Sequence, residues 1–280
     1  MWRGRITMKP TAFLLSLILT SAQASTQRVG PTIAGWTILQ SEAADAAVPG
    51  GHVDIWQIRR AIANDVPVAL VMVTLPANRY RAAIQHVNRF GPTASIYTTG
   101  LCNRSVVVVN GNFFVDTDNV KSPLGLLKVK GRTITGASSR KTGGFLAVKP
   151  DGTITIFTRS EAKEAKLATD VVESTPVLIH DSMDVMRGDD HVKFDRVAVG
   201  NARNGDLIFI GAFANQQKAL SLAEFARLAA AAARTRGMEI NGLMAMDGGP
   251  SAHLWLPTAK TLHGARGPTY LPSAICAMPR

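Results

Sequence analysis

The sequence is short of the residues that build metal centres and membrane spans. Its 280 residues include two cysteines and six histidines, with no CxxC pair and no HExxH motif, so the ligand spacing of a zinc site is missing. After the N-terminal segment, no apolar run approaches the roughly 18 residues typical of a membrane-spanning helix. Charged residues make up only 18% of the chain and hydrophobic residues 46%, which excludes a disordered protein.

Positive charge, by contrast, is abundant. Lysine and arginine together number 31 against 20 acidic residues, a net charge of +11. Basic proteins often bind nucleic acids, anionic membranes or acidic substrates. The basic residues are scattered along the chain rather than grouped with aromatic residues, and this distribution argues against nucleic acid as the partner.

The N-terminal residues 1–24 have the three parts of a secretory signal peptide. Three positive charges precede an apolar stretch over residues 12–20, and Ala-Gln-Ala at 22–24 is typical of a cleavage site. The alternative is a membrane anchor, but the apolar stretch is about half the length of a spanning helix. We therefore expect an exported protein of residues 25–280, periplasmic or secreted, with a net charge of +8 and no transmembrane segment after cleavage.

The two cysteines, Cys102 and Cys276, are 174 positions apart. A disulfide between them would tie the C-terminal region to the centre of the chain and would suit an oxidising compartment. The alternative, two unpaired thiols, stays open at the level of sequence.

Apolar patterning predicts one α+β domain, with a strand-rich mixed sheet and a few helices. Strands are expected from alternating or continuous apolar runs at 52–58, 66–75, 105–109, 145–148, 153–157, 176–179, 196–200, 206–210 and 242–246. Residues 80–87 fit either a helix face or a strand, and the turn-forming Pro-Ala-Asn before them favours a hairpin. One helix is predicted from a capping box at Ser221 and Glu224 to a glycine stop at Gly237.

A first candidate site follows the apolar strand at 105–109. The segment Asn110-Gly111-Asn112-Phe113-Phe114 places amides and a glycine at the end of a buried strand, a common position for ligand contacts. Asn-Gly is also the preferred dipeptide of a type I′ hairpin turn, so a turn is the alternative.

A second candidate site follows the strand at 242–246. Asp247 beside apolar residues is a candidate nucleophile, base or cation ligand, and Gly248 and Gly249 could present N–H groups to an anion. The alternative is an Asp-Gly turn. Ser251 does not lie in a G-x-S-x-G elbow, which excludes a serine hydrolase of that type.

Three charged positions are weaker candidates. Arg196 opens an apolar strand and is either an anion-binding guanidinium or a surface charge. Glu173 is either a site carboxylate or a residue at the rim of the site. Asp116 could hold a divalent cation (Ca²⁺ or Mg²⁺) together with Asp247, although no spacing demands a metal.

Six segments in this order resemble the phosphodiester glycosidase family, in its exported bacterial branch. The resemblance covers residues 66–275 and is carried by NGNFF at 110, SPLGLLKVKGRTI at 122, GGFLAVKPDGTITI at 143, ESTPVLIHDS at 173, RVAVG at 196 and MAMDGGPS at 244. It implies a strand-rich hydrolase that cleaves the bond between a sugar and a phosphodiester, without a firmly implied cofactor.

The resemblance also implies roles for individual residues. Asp247 would act as nucleophile or as base for water, Glu173 as a second carboxylate, and Ser251 would orient the loop. The groups expected to bind the substrate and hold the departing phosphate are Asn110, Gly111, Phe114, Arg196 and the N–H groups of Gly248 and Gly249.

Asn112, Thr175 and Pro250 depart from the family pattern, which has glycine at these positions, and Glu173 stands where the bacterial branch often has glutamine. The expected partner is a phosphate-containing glycan, such as an envelope exopolysaccharide. A non-catalytic periplasmic module that binds an anionic polysaccharide in the same cleft is the alternative function.

Overall fold

Strands dominate the fold, as the apolar patterning predicts. In the computed structural model, the described residues are 31–60, 65–86, 102, 104–117, 120–186, 188, 191–214, 219–264 and 271–280, and the side chains at 116, 117, 120 and 121 are not among them. Every strand pairing within these residues is antiparallel, which refines the expected mixed sheet.

The largest sheet has nine strands. In spatial order they are β1 (Thr32–Ile33), β2 (Trp36–Ala43), β3 (His52–Arg59), β4 (Val68–Leu75), β17 (Leu207–Phe213), β16 (Arg196–Ala202), β18 (Ile240–Ala245), β14 (Val177–His180) and β15 (Met183–Asp184). Its central strands are apolar on both sides because both faces of the sheet are covered.

Two five-stranded sheets and a hairpin complete the strands. One sheet runs β10 (Arg132–Thr135), β9 (Leu127–Val129), β13 (Asp170–Ser174), β11 (Gly144–Val148), β12 (Ile154–Thr158). The other runs β20 (Thr261–Gly264), β19 (His253–Leu256), β6 (Val107–Asn110), β21 (Ser273–Pro279), β5 (Tyr80–His86). The hairpin pairs β7 (Phe114–Thr117) with β8 (Val120–Pro123).

Alternate residues of β4 show how the large sheet is sandwiched. Val71 and Val73 belong to a core cluster shared with both five-stranded sheets. Leu70 and Met72 point the other way and pack in a cluster with helix α2 (Leu222–Thr235). Because one cluster draws residues from all three large sheets, the described part of the chain has the shared core expected of one domain. The boundary at residue 25 remains a prediction.

The predicted helix is confirmed together with its cap. The Ser221 hydroxyl accepts the N–H of Glu224, and the Glu224 carboxylate accepts the N–H of Ser221. A second, shorter helix, α1 (Ala162–Leu167), is the other α-helix in the described part. Residues 80–86 form a strand rather than a helix face. The expected hairpin is wrong, however, because β5 pairs with β21 in another sheet, while β4 pairs with β3 and β17.

Cys102 and Cys276 are paired in a disulfide, with their Cα atoms 5.9 Å apart. The pair lies in a small cluster with Val108, Leu271 and Ala274. Residues 1–24, the expected signal peptide, lie outside the described residues. Within those residues no helix has the length and apolarity needed to span a bilayer.

Candidate active site

A cavity of about 640 Å³ opens where β18 ends and β16 begins. The two strands are antiparallel neighbours, so the end of one lies beside the start of the other. The cavity is lined by Phe113, Thr175, Pro176, Met186, Gly188, Phe194, Arg196, Leu222 and residues 246–250. Four of the six resembling segments, those at 110, 173, 196 and 244, therefore contribute residues to one cavity.

Two hydrogen bonds hold the main chain of Asp247 at this cavity. Its N–H donates to the Gly111 carbonyl at 3.2 Å, and its carbonyl accepts the Asn110 side-chain amide at 2.7 Å. Both partners come from the end of β6, in a different sheet. The two candidate sites of the sequence therefore form one structure, in which one backbone bond and one bond from the Asn110 side chain hold the main chain of Asp247.

The Asp247 carboxylate has a perturbed pKa. Burial raises its pKa to about 6, and hydrogen bonds from the Ser251 hydroxyl and the Gly248 N–H limit that rise because they stabilise the charged form. A partly buried carboxylate with a raised pKa in a cavity is a typical acid, base or nucleophile of an active site. Ser251 is itself buried, and its bond agrees with the predicted orienting role.

Both polar atoms of the Asn110 side chain form hydrogen bonds within the protein. Its amide nitrogen donates to Asp247, and its amide oxygen accepts the N–H of His253 at 3.0 Å. The residue is 1% exposed and does not line the cavity. The expectation that it binds phosphate directly is therefore not met, and Asn110 is instead a positioning residue for Asp247. Neither Asn110 nor Gly111 has a positive φ, which also excludes the type I′ turn.

Gly111 is required by packing rather than by a ligand. A Cβ at this position would lie 2.2 Å from the Ser273 hydroxyl oxygen. Ser273 is held there by its bond to the Asn112 side chain at 2.6 Å. The expected contact of Gly111 with substrate is replaced by a close approach between β6 and β21.

Of the two adjacent phenylalanines, Phe113 lines the cavity, not the predicted Phe114. Phe114 packs beside the disulfide cluster, which lies away from the cavity. Successive side chains in an extended chain point to opposite sides, so only one of the two rings can face the cavity. The sequence Phe-Phe contains no signal that says which one.

The predicted anion-binding N–H groups are already engaged. The Gly248 N–H donates to the Asp247 carboxylate, and the Gly249 N–H donates to the Asp195 carbonyl at 2.9 Å. Gly249 has a φ of +60°, a conformation that glycine adopts easily. This loop is therefore built to hold Asp247, which corrects its interpretation as a phosphate-binding nest.

Arg196 lines the cavity with a fixed guanidinium. Its Nε donates to the Leu220 carbonyl at 3.0 Å, and its Nη2 donates to the Val192 carbonyl. The guanidinium carbon lies 5.4 Å from the ring centre of Phe194, within cation–π range. The residue is 8% exposed. Its predicted contact with phosphate stays a prediction, and the geometry places the cation on the cavity wall.

Glu173 lies outside the cavity, in a narrow crevice that shares Phe113 and Thr175 with it. Its carboxylate accepts the N–H groups of Leu126 and Ser138 at 2.8 and 3.0 Å, the Ser138 hydroxyl and the Arg159 guanidinium. Burial alone would raise its pKa, but these bonds and the Arg159 charge outweigh burial and lower the pKa. Such a saturated carboxylate fits a structural role better than the predicted catalytic one.

Two site residues carry little signal in the sequence. Phe194 is 43% exposed at the cavity rim. Asp195 is buried: its Oδ1 accepts the N–H of Ala214 at 2.9 Å, and its Oδ2 has no hydrogen-bond partner within the described residues. Burial raises the pKa of Asp195, although the hydrogen bond from Ala214 acts in the opposite direction. The one sequence signal for Asp195 is that an acidic residue directly precedes the strand predicted at 196–200.

The described residues contain no group of three or more histidine, cysteine, aspartate or glutamate side chains placed to hold a metal ion. The side chain of Asp116, the suggested partner of Asp247 in a cation site, lies outside the described residues. The suggestion of a divalent cation is thus left as a prediction.

Solved structures share this fold at low sequence identity. The catalytic domain of zebrafish N-acetylglucosamine-1-phosphodiester alpha-N-acetylglucosaminidase, auto-inhibited by its pro-peptide, aligns with a TM-score of 0.61 and 14% identity, over 86% of this chain and 88% of that chain. An exported protein, so described, from Burkholderia pseudomallei aligns with a TM-score of 0.55 and 13% identity, over 76% and 74%. A hypothetical protein from Synechocystis gives 0.53 and 15%, over 88% and 68%.

The chain thus has the fold of a glycosidase catalytic domain. The family model for phosphodiester glycosidases matches residues 103–277, which is more than half of the chain. The chain belongs to the phosphodiester glycosidase family. No curated protein matches it in sequence.

Proposed function

We propose that this protein hydrolyses a sugar-1-phosphodiester, releasing the sugar and leaving the phosphate on the other part of the substrate. The observation that carries the proposal is Asp247, a carboxylate fixed on the wall of a 640 Å³ cavity with a pKa of about 6. Membership of a hydrolase family supports the reaction class.

The chemistry of the leaving group determines how many catalytic carboxylates the site requires. Ordinary glycosidases pair two carboxylates because the leaving oxygen must be protonated. A phosphate leaves readily without strong protonation, so one carboxylate near the anomeric carbon can suffice. Asp247 is the one carboxylate among the described residues of the cavity lining. With a pKa of about 6 it is largely ionised at neutral pH, as a nucleophile or a base for water must be.

The other lining residues suit the two halves of such a substrate. Arg196 places a positive charge on the same wall as Asp247, where it would neutralise the departing phosphate. Phe113 and Phe194 offer apolar ring faces against which a sugar can pack. Substrate binding by these three residues is part of the proposal.

We also propose that the protein acts outside the cytoplasm, on an envelope or extracellular glycan. The pattern of residues 1–24 supports export, and the Cys102–Cys276 disulfide is compatible with an oxidising compartment.

Replacement of Asp247 tests the reaction. The purified mature protein is screened against sugar-1-phosphodiesters, and sugar release is measured for the wild type and for Asp247→Asn. We expect the variant to lose roughly 10²- to 10⁴-fold in kcat, because the reacting carboxylate is gone. Asp181→Asn is the matched control, since Asp181 is exposed, pairs with His180 and does not line the cavity.

A folding control accompanies this experiment. The pKa of Asp247 is raised in the folded state, so ionisation of this group costs stability as pH rises above about 4. Asp247→Asn removes that cost and should unfold no more easily than the wild type at pH 7. Undiminished hydrolysis by the variant would refute the assignment, and tight glycan binding without any product would favour the non-catalytic module.

A further inference from the structure

A second cavity of about 400 Å³ adjoins the Asp247 cavity and shares Pro176 and Met186 with it. We call it the basic groove; its lining residues are 141–143, 158–160, Pro176, Val177, Val185 and Met186. The crevice that contains Glu173 touches both, because it shares Thr175 with the first cavity and Thr142 with the groove. A substrate longer than one sugar and its phosphate can therefore continue from the Asp247 cavity along this surface.

This surface carries cations, and carboxylates also border it: the Glu161 carboxylate accepts the Thr158 N–H, and the Asp184 carboxylate accepts the Met186 N–H. Arg140 lines the crevice, and Lys141 and Arg159 line the basic groove. Arg159 is paired with Glu173, so those two charges cancel. Arg140 and Lys141 are exposed, and neither forms an ion pair within the described residues. Two cations without an ion pair among the described residues thus line the two pockets that adjoin the cavity, Arg140 in the crevice and Lys141 in the basic groove.

The segment that carries these cations is fixed at both ends. Ser138 is bound through its N–H and its hydroxyl to Glu173, and it also accepts the Arg159 guanidinium at 2.8 Å. At the other end, a Cβ on Gly143 would lie 2.4 Å from the Ser174 carbonyl, which shows how closely the chain approaches β13. A cation on a fixed loop loses less conformational entropy when it binds an anion than one on a free loop.

We propose that Arg140 and Lys141 form a subsite for a second anionic group, carried by the part of the substrate that leaves with the phosphate. This inference rests on the proposed function and narrows it: the substrate class is a chain with several phosphates or phosphodiesters rather than an isolated sugar-1-phosphodiester. Sequence position alone gives these residues no such role, since the crevice and the groove that they line adjoin the Asp247 cavity only in the folded chain.

Two synthetic substrates test the subsite. Both contain the sugar released by the wild type and a 1-phosphodiester to an alkyl chain, and one of them has a second phosphate at the end of that chain. The measured quantity is the ratio of kcat/KM for the doubly charged substrate to kcat/KM for the singly charged one. For Arg140→Ala/Lys141→Ala we expect this ratio to fall about tenfold, as for the loss of two exposed ion pairs.

The control variant removes two positive charges at other positions of the surface. Lys149 lies past the other end of β11 from this loop, and Lys163 is exposed on α1; neither lines a described cavity. Lys149→Ala/Lys163→Ala should leave the ratio unchanged. The wild-type ratio should also fall as salt is raised from about 0.05 to 0.5 M, because exposed charges are screened.

A binding measurement separates the subsite from the reaction. The dissociation constant of the doubly charged compound is measured by calorimetry in the Asp247→Asn background, with and without the Arg140→Ala/Lys141→Ala changes. A rise of about tenfold supports the subsite even if no substrate is turned over. An unchanged dissociation constant together with an unchanged kinetic ratio would overturn the subsite, while hydrolysis of the simple phosphodiester would leave the proposed function standing.

Discussion

Asp247 shows how burial raises the pKa of a carboxylate at the expense of stability. Its carboxylate is partly buried, so ionisation is disfavoured, and only two hydrogen bonds, from Ser251 and Gly248, stabilise the charge. Glu173 is also buried, but it accepts four hydrogen bonds, and its pKa is lowered. The number of donors, rather than burial alone, therefore separates the candidate reactive carboxylate from the structural one.

The pH dependence of hydrolysis should follow Asp247. Because the ionised form is the reactive one, kcat/KM should rise with pH and level off above a midpoint near pH 6. Ser251→Ala removes a bond to the charged form, so the midpoint should move up by about one pH unit. Ser41→Ala, at an exposed position of β2, serves as the control. If Ser251→Ala leaves the midpoint of the pH profile unchanged, the group that titrates is not Asp247.

The close approach at Gly111 gives a stability prediction. Gly111→Ala should lower the free energy of unfolding by about 1–3 kcal/mol, because the new methyl group collides with the Ser273 side chain. Gly136→Ala is the matched control, since no heavy atom lies within 4 Å of a Cβ there and its φ is not positive. Denaturant unfolding measures both. Adding Ser273→Gly to Gly111→Ala should restore part of the loss, and no recovery would mean that the backbone, not the hydroxyl, causes the clash.

At the scale of elements, the site is a meeting of strand ends. The loop after β18 supplies Asp247, the end of β6 clamps its main chain, and the start of β16 supplies Arg196. The wall towards the basic groove includes the loop that carries Arg140 and Lys141. One end of this loop is held by the Glu173 carboxylate, and the other end packs closely against Ser174.

Glu173→Gln distinguishes an anchor from a catalyst. An amide cannot accept all of the bonds made by the carboxylate, and Arg159 loses its ion partner, so the free energy of unfolding should fall by about 2–4 kcal/mol. The kcat for a singly charged substrate should change far less than in Asp247→Asn. Glu164→Gln, exposed on α1, is the control. A hundredfold loss of kcat with unchanged stability would instead restore the catalytic role that the sequence suggested for Glu173.

At the scale of the whole molecule, charge and cross-linking have separate effects. The net charge of +11, or +8 without residues 1–24, favours contact with anionic glycans in general. The proposed binding depends on where the charges lie: Arg196 is held against carbonyl groups on the cavity wall, and Arg140 and Lys141 line the adjoining crevice and basic groove.

The disulfide should stabilise the fold as a whole. It joins residues 174 positions apart and so restricts a very long loop in the unfolded chain. Reduction should lower the free energy of unfolding by about 2–4 kcal/mol and the unfolding midpoint by roughly 5–15 °C. Thermal unfolding with and without reductant measures this. A Cys102→Ala/Cys276→Ala variant should start at the lower midpoint and not respond to reductant; an unaffected wild type would contradict a stabilising disulfide.

Local patterns predict elements well where the cause of the structure is local. The Ser221–Glu224 capping box specifies the start of α2, and the apolar run before Asp247 specifies a strand, since both depend on neighbouring residues only. Residue roles that depend on distant partners were predicted less well. Asn110 was expected to touch phosphate, yet its amide is used by Asp247 and His253, which are more than a hundred positions away.

The sequence by itself determined a strand-rich α+β chain, the position of its main helix, the family to which it belongs, and Asp247 as the residue to examine. Tertiary structure decided that Phe113 rather than Phe114 faces the cavity, and that Glu173 rather than Asp247 is saturated with hydrogen-bond donors. It also decided that Arg140 and Lys141 line pockets that adjoin the cavity. The physical reason is that periodicity and capping act over a few residues, whereas burial, hydrogen-bond partners and the pKa of a side chain are set by strands brought together from distant parts of the chain.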